Sequence, residues 1–387
     1  LVTIRGRFAI LVSLVGISGF SQGMLLPLIA ILLEDQGVSS TINGLHATAL
    51  YIGILIISPF LEAPLRKYGY KPVILIGGAL VFSSLFFFTI WESIWFWFIL
   101  RLLIGIGDNI LHFGTQTWIT TTTPVHKRGR SIAIYGLSFG LGFTIGPLMS
   151  PLIEVSPSFP FIVSSVLCLL VWSLMFLVRN DFPVQDDDVQ VATSKTTHRF
   201  SGAFKYAWVA LLAPFTYGFL ETTLHSNFPV YALRIGHEVT MISVIIPCFA
   251  AGSIISQIPL GILSDKIGRV NVLSLVLSGG TITFIITALF EHSLIGLFIT
   301  FTLAGMLVGS LYSLGISYMT DLLPKSLLPA GNILCAAMFS FGSIAGPLLG
   351  GAFIDLLPEV SFFYIIVIFL LIITITMITK RPKPESA

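Results

Sequence analysis

Charged side chains are scarce in this chain: Asp, Glu, Lys and Arg make up 10% of 387 residues, against roughly a quarter in ordinary globular domains. That scarcity excludes a water-soluble fold, and with it a soluble enzyme. Cysteine is scarce too. Cys168, Cys248 and Cys335 each sit inside an apolar segment, with neither a metal-ligand spacing nor a disulfide framework. No nucleotide-binding loop is found, so an energy source other than ATP hydrolysed on this chain is expected, and no cofactor or metal is called for. With a formal net charge of +2, nothing marks the chain as a nucleic-acid binder.

What the sequence has is hydrophobic length: 55% apolar residues, 32 Phe and a mean hydropathy of +0.96. Crossing about 30 Å of hydrocarbon takes about 20 apolar residues. Twelve stretches qualify, near 8–33, 41–64, 72–90, 94–119, 130–153, 159–179, 206–232, 240–263, 270–290, 294–319, 328–354 and 361–379. The first, Phe8 to Leu33, exceeds the apolar core of a signal peptide and reads as a retained span. The expected class is therefore an all-α polytopic membrane protein.

Orientation follows from Lys and Arg, which are retained on the cytoplasmic side. With the N-terminus inside, every Lys and Arg except Arg101 and Arg234 falls on that side, and both termini are cytoplasmic. The opposite loops carry Glu34, Asp35, Glu92, Glu154, Glu238, Glu291, Asp355 and Glu359. Trp91, Trp95 and Trp97 cluster where the fourth span would meet the outer interface, as an aromatic belt predicts. The remaining aromatics read mostly as lipid-facing filler.

The chain repeats itself at an offset of about 200 residues, as parallel-repeat transporters do. Gly69 pairs with Gly268, Gly105 with Gly305, Pro124 with Pro324, and Gly146-Pro147 with Gly346-Pro347. The division is residues 1–180, a cytoplasmic linker over 181–205 containing Asp186-Asp187-Asp188, and residues 206–387. Each half holds six spans.

Residues 261–269 read Gly-Ile-Leu-Ser-Asp-Lys-Ile-Gly-Arg, and the pattern Gly261-x-Leu-x-Asp265-Lys266-x-Gly268-Arg269 resembles the cytoplasmic loop signature of the major facilitator superfamily of transporters. The resemblance implies twelve helices in two pseudo-symmetric halves, a substrate site between the halves near the midplane, and a gating role for Asp265, Lys266 and Arg269. The competing reading is that these charges merely hold a loop in the cytoplasm. In the first half the equivalent place reads Glu62-Ala-Pro-Leu-Arg66-Lys67-Tyr-Gly69, with Arg66 where Asp265 stands. Either the first-half latch is missing or Glu62 replaces it from another position.

Span 5 carries Gly136, Gly140 and then Gly142-Phe-Thr-Ile-Gly146-Pro147-Leu-Met-Ser150-Pro151; span 11 carries Gly342-Ser-Ile-Ala-Gly346-Pro347-Leu-Leu-Gly350-Gly351. Both resemble the Gly-x-x-x-Gly-Pro segment of drug:proton antiporters. Small residues four apart let helices approach closely, and proline kinks a span where neighbours accommodate it. Generic helix packing would use the same residues.

Span 4 is the chemically loaded one. The superfamily's Arg-x-x-x-Gly pattern appears as Arg101-Leu-Leu-Ile-Gly105, followed by Asp108, His112 and Thr115. At 3.6 residues per turn these polar residues form a narrow stripe. An ionised side chain facing lipid at mid-span costs about 2.5–3.5 kcal/mol, so the stripe is expected to face an interior cavity. The second-half counterparts are Phe301, Val308 and Tyr312, so the charges belong to one half only. Asp108, able to alternate between protonated and ionised forms, is the first candidate proton carrier. A structural Arg101–Asp108 pair is the competing reading, although seven residues put about 10 Å of rise between them.

Glu221 of span 7 lies in Gly218-Phe-Leu-Glu221-Thr-Thr-Leu-His225-Ser-Asn227 and aligns approximately with Gln22 of span 1. It is the second candidate, as a proton site or a cation anchor. Spans 1, 4, 7 and 10 line the cavity in the superfamily, which by that resemblance brings Gln22, His112, Thr115, Glu221, His225 and Tyr312 to the substrate, beside the proton-coupling residues Asp108 and Arg101, the arginine favouring release of the Asp108 proton. For His112 and His225 a hydrogen-bonded packing role is the simpler reading.

The whole chain resembles the twelve-span bacterial drug:proton antiporters. The resemblance implies a functional monomer of the bacterial inner membrane that exports lipophilic, often cationic, small molecules in exchange for protons. An exporter or flippase of an endogenous lipid or metabolite fits nearly as well. A proton-coupled importer fits less well, since Asn, Gln and Trp are sparse in the spans, and a non-transporting sensor least.

Overall fold

The structure, a computed structural model, describes residues 3–183 and 196–380. All regular structure among them is helical: α1 (Ile4–Asp35), α2 (Ser40–Ile57), α3 (Glu62–Tyr68), α4 (Tyr70–Phe87), α5 (Ile94–Thr122), α6 (Val125–Ile145), α7 (Phe159–Ser173), α8 (Thr196–Arg234), α9 (Val239–Ile267), α10 (Arg269–Leu289), α11 (Leu294–Val308), α12 (Leu311–Leu322), α13 (Leu328–Leu356) and α14 (Phe363–Thr379), with short 3-10 turns between some of them. Helix is what hydrocarbon permits here, because each backbone N–H and C=O must be satisfied within its own segment.

Among the described residues, ten stretches are long and apolar enough to cross a membrane. In one of them α11 and α12 run together, and in another α6 continues through a 3-10 segment, Gly146–Glu154. The other two expected spans fall on α14, a shorter apolar helix, and α8. The polar run Glu221–Asn227 makes α8 less apolar than its neighbours. α8 also begins at Thr196, so the final two-fifths of the expected 181–205 linker is helix. Asp186–Asp188, Lys195, Arg381 and Lys383 lie outside the described residues.

The chain divides into two compact units, residues 1–38 with 46–185, and residues 39–45 with 186–387. The repeat seen in the sequence recurs as geometry inside each. The four glycines with positive φ are Gly37 and Gly69 in the first unit and Gly236 and Gly268 in the second, at equivalent turns. A Cβ on Gly142 would strike the Gly16 carbonyl of α1; on Gly342 it would strike the Phe215 carbonyl of α8. Gly146 and Gly346 sit equally close to Phe20 and Phe219. Close packing of α6 on α1 and of α13 on α8 is thus what these glycines provide. Gly136, Gly140 and Gly261 meet nothing within 4 Å, so their smallness is not used for packing. At the prolines the units diverge: the span tightens to 3-10 from Gly146 onward, while α13 continues as α-helix through Pro347.

The aromatics are not mainly lipid-facing. In the second unit Phe219 stacks on Phe369 with centroids 3.8 Å apart, and Phe363 gathers Phe228, Phe284, Phe301, Tyr231 and Phe362 into one buried cluster. In the first unit Trp91 and Trp95 are exposed as an interfacial belt requires, but Trp97 is 3% exposed and packs beside Phe88 and Phe161. Its position one turn inside α5 turns it toward the core.

Asp355, expected only as an outer-loop charge, has a defined partner. It accepts from the Ser40 and Thr41 N–H groups at 3.0 and 2.8 Å and from Thr41 Oγ1 at 2.7 Å, while Arg234 Nη1 lies 3.6 Å from Oδ1. A carboxylate at a helix start satisfies orphan N–H groups and the helix dipole together.

Two predictions follow from this packing. Gly142→Leu and Gly342→Leu force side chains into backbone and should each cost at least about 1–3 kcal/mol, read as a lower thermal midpoint in detergent, whereas Gly136→Leu should leave that midpoint unchanged. Asp355→Ala should destabilise by about 0.5–2 kcal/mol, measured the same way.

Candidate functional site

α5 is positioned by its glycines. A Cβ on Gly105 would strike the Leu50 carbonyl of α2, and one on Gly107 would meet the Gly77 carbonyl of α4 at 2.7 Å. The helix is therefore held close on two sides around Asp108, which is 1% exposed. Asp108 Oδ1 accepts from Ser18 Oγ of α1 at 2.6 Å. Gln22, one turn further along α1, approaches the same carboxyl. Oδ2 has no hydrogen bond of its own. Beside it lies a cavity of about 10 Å³ lined by Ser18, Asp108, Cys168 and Trp172 among others, at the lower end of what one water occupies.

The network continues through Ser18. Its Oγ lies 3.0 Å from His112 Nε2, and His112 Nδ1 lies 2.6 Å from Tyr135 Oη of α6. Phe139 packs edge-on against the imidazole at 5.2 Å, which fixes the ring plane. Thr115, by contrast, turns back to the Leu111 and His112 carbonyls of its own helix.

Arg101 is also fully buried, but it does not pair with Asp108. Its Nη1 lies 3.2 Å from His46 Nδ1, and His46 Nε2 lies 3.1 Å from the Ile94 carbonyl. Donation to that carbonyl puts the His46 proton on Nε2 and leaves Nδ1 to accept from arginine. Arg101 Nε and Nη2 make no hydrogen bond. The polar stripe of α5 is thus split: Arg101 turns to α2, Asp108 and His112 to α1 and α6.

The second unit carries its own constellation. Glu221, half-buried on α8, accepts from Tyr217 Oη at 2.9 Å. Tyr217 in turn belongs to a group of three half-buried rings: Tyr217 and Tyr312 at 6.3 Å, Tyr217 and Phe339 at 6.0 Å, Tyr312 and Phe339 at 5.5 Å. His225 Nδ1 lies 2.7 Å from the Glu221 carbonyl, a contact within the helix that fits the packing role. No group of side chains suited to a metal ion occurs among the described residues.

The loop motif forms a charge cluster. Arg269 contacts Asp265 at 2.5 Å and Asp321 at 3.3 Å, and also bonds Ser264. Gly268, with φ of 91°, separates α9 from α10, a conformation that favours glycine. In the first unit Glu62 pairs with Arg66 on its own short helix at 2.5 Å, so it is engaged with the residue that displaced the aspartate. Lys266 is exposed.

The sequence brought out Asp108, His112, Glu221 and Tyr312 but not Ser18, Tyr135, His46, Tyr217, Phe339 or Asp321. Two signals were present. Ser18 precedes Gln22 by one helical turn, and Tyr217 precedes Glu221 by one turn, which sets each pair on one helix face.

Comparison with known proteins agrees with this architecture. The Major Facilitator Superfamily profile matches residues 11–247 and 210–387. The "Uncharacterized MFS-type transporter YfkF" of Bacillus subtilis (strain 168) is 52% identical over 382 residues, covering 99% of this chain and 97% of that one. "Multidrug resistance protein 1" of the same organism is 24% identical, covering 94% of both chains. "Quinolone resistance protein NorA" of Staphylococcus aureus is 26% identical over 160 residues, 41% of each chain. Among solved structures, the nucleoside transporter NupG superposes with a TM-score of 0.78 at 14% identity, covering 97% of this chain and 99% of that one. A bacterial homolog of the human lysosomal transporter Spinster superposes with a TM-score of 0.72 at 14% identity, covering 98% of both. At such identities the structural matches speak to the fold, and with the profile spanning almost the whole chain they lead to one conclusion: this protein belongs to the major facilitator superfamily of membrane transporters.

Proposed function

We propose that this transporter is a proton-coupled antiporter that exports lipophilic, often cationic, small molecules by alternating access. The observation that carries the reading is Asp108, an ionisable carboxyl buried in a membrane helix with no cation paired to it among the described residues. A carboxyl in such a place is costly to keep charged and earns a function by exchanging protons. Its hydrogen-bond partner is a serine hydroxyl, with the Gln22 amide nearby, and such neutral groups suit either protonation state. Arg101, two turns away on the same helix, adds positive potential, which reaches further in low dielectric than in water.

Glu221 with Tyr217, Tyr312 and Phe339 is the proposed cation anchor. Aromatic faces attract organic cations by about 0.5–1 kcal/mol when exposed and about 2 kcal/mol when desolvated, and the carboxylate supplies the charge. Coupling then requires only that proton and substrate each change the other's affinity, a reciprocal effect. Multidrug resistance protein 1 and NorA, by their names, support export of drugs. In this reading the Asp265–Arg269–Asp321 cluster gates the cytoplasmic side, both termini are cytoplasmic, and the protein works as a monomer in a bacterial inner membrane.

The test uses everted vesicles with an acid interior, a pH-sensitive dye and tetraphenylphosphonium as the added cation. Wild type should release protons when the cation is added, and Asp108→Asn at matched expression should not. Glu221→Gln should retain release but need about tenfold more cation, equivalent to about 1.4 kcal/mol. Absence of release in wild type across a broad panel of lipophilic cations would contradict the proposal and favour export of an endogenous lipid or metabolite.

A further inference from the structure

The hydrogen bonds around Asp108 form a chain with a direction. Ser18 carries one hydroxyl proton, and at 2.6 Å it is given to Asp108 Oδ1. The 3.0 Å contact from Ser18 Oγ to His112 Nε2 must then be a donation by the imidazole. A neutral imidazole that donates from Nε2 accepts at Nδ1, so Tyr135 Oη donates across the 2.6 Å contact. Every donor points toward the carboxylate: Tyr135 to His112, His112 to Ser18, Ser18 to Asp108. With Asp108 protonated on Oδ1, the same atoms support the reversed order, in which Asp108 donates to Ser18, Ser18 to Nε2, and Nδ1–H to Tyr135. Neither order leaves a member without its partner.

We infer that Ser18, His112 and Tyr135 are a proton relay that loads and unloads Asp108 from the α6 side of the first unit. The inference rests on the antiport reading for its purpose, but the relay itself is a property of these four residues. In the loading direction a hydronium gives its proton to Tyr135 Oη as the Tyr135 O–H proton passes to His112 Nδ1. The Nε2 proton passes to Ser18 Oγ, and the Ser18 proton passes to Asp108 Oδ1. One proton enters, one carboxylate is neutralised, and each relay member ends neutral. Tyr135 and His112 are half-buried while Ser18 and Asp108 are buried, so exposure decreases along the route.

Few other groups compete at the carboxyl. α1 offers Ser18 and Gln22, α5 its own His112, and α7 offers Cys168 across the small cavity, while α4 contributes Gly78 and Val81 there, neither titratable. Cys168 makes no bond to the chain that would extend it. The ring contacts of Phe139 and Tyr135 with His112, at 5.2 and 6.0 Å, hold the imidazole so that both nitrogens stay in register without a ring flip.

The experiment is a time-resolved infrared measurement on the purified full chain in lipid nanodiscs after a rapid pH drop. The carboxyl C=O band of Asp108 is assigned as the one missing from Asp108→Asn. In wild type it should rise quickly. In His112→Phe and Ser18→Ala the band should still form, to the same final amplitude, but at a rate lower by about a hundredfold or more, the range general acid–base groups contribute. Ser18→Ala removes a single oxygen and keeps the test available if the larger change disturbs folding. A structural role alone would shift the amplitude or midpoint and leave the rate. An unchanged rate in either folded variant, or no Asp108 band in wild type, overturns the relay. No substrate is needed, so a failed vesicle assay would count against antiport while the infrared result stands separately.

Discussion

Hydrocarbon offers no hydrogen bonds, and from that one constraint most of this structure follows. Backbone groups are satisfied by winding every span into a helix. Side-chain groups must find partners inside the protein or cost several kcal/mol. Most of the serines and threonines meet the requirement trivially by bonding a carbonyl one turn back, as Thr216, Thr222, Ser226 and Thr300 do. Asp108 and Arg101 cannot. Each reaches across to another helix, Asp108 to α1 and Arg101 to α2, and each retains polar atoms without a hydrogen bond. A carboxyl and a guanidinium at full burial are what separate these two from the packing residues around them.

The glycines make those reaches possible. α5 comes close to α2 and α4 because Gly105 and Gly107 carry no side chain, and α1 comes close to α6 because Gly142 and Gly146 carry none. Asp108 is thereby brought within hydrogen-bond distance of Ser18, and His112 within reach of Tyr135. The second unit repeats the packing through Gly305, Gly342 and Gly346 but places Phe301 and Val308 where the charges stood. Its polar chemistry sits instead on α8, with Glu221 among aromatic rings. One scaffold built twice carries two different chemistries, a buried acid in one unit and an aromatic-flanked carboxylate in the other.

Much of this was legible in the sequence. Span edges agree with the helices to within a few residues for most segments, because charge and turn glycine end them abruptly: Gly69 and Gly268 stand where α4 and α10 begin. The start of α8 was not legible, since Thr196 to Lys205 is polar enough to read as linker. Asp108 and Glu221 were found because a carboxyl inside an apolar run has no cheap explanation. Their partners were missed because Ser18, Tyr135 and Tyr217 are ordinary in a membrane helix, and only the approach of another helix gives them meaning. That Arg101 and Asp108 turn to different helices was not legible for a related reason. Helical period places residues on a stripe, but the neighbour met by each turn of the stripe is set by packing.

The central claim is a division of labour in which Asp108 holds the proton and Glu221 holds the cation. It is tested most directly on purified protein in weakly buffered detergent, recording proton release with an indicator dye while tetraphenylphosphonium binding is followed in parallel. Wild type should release protons as the cation binds. Asp108→Asn should bind the cation with no release, and Glu221→Gln should need about tenfold more cation for binding and release alike. Release that persists in Asp108→Asn would contradict the account and move the proton site off α5.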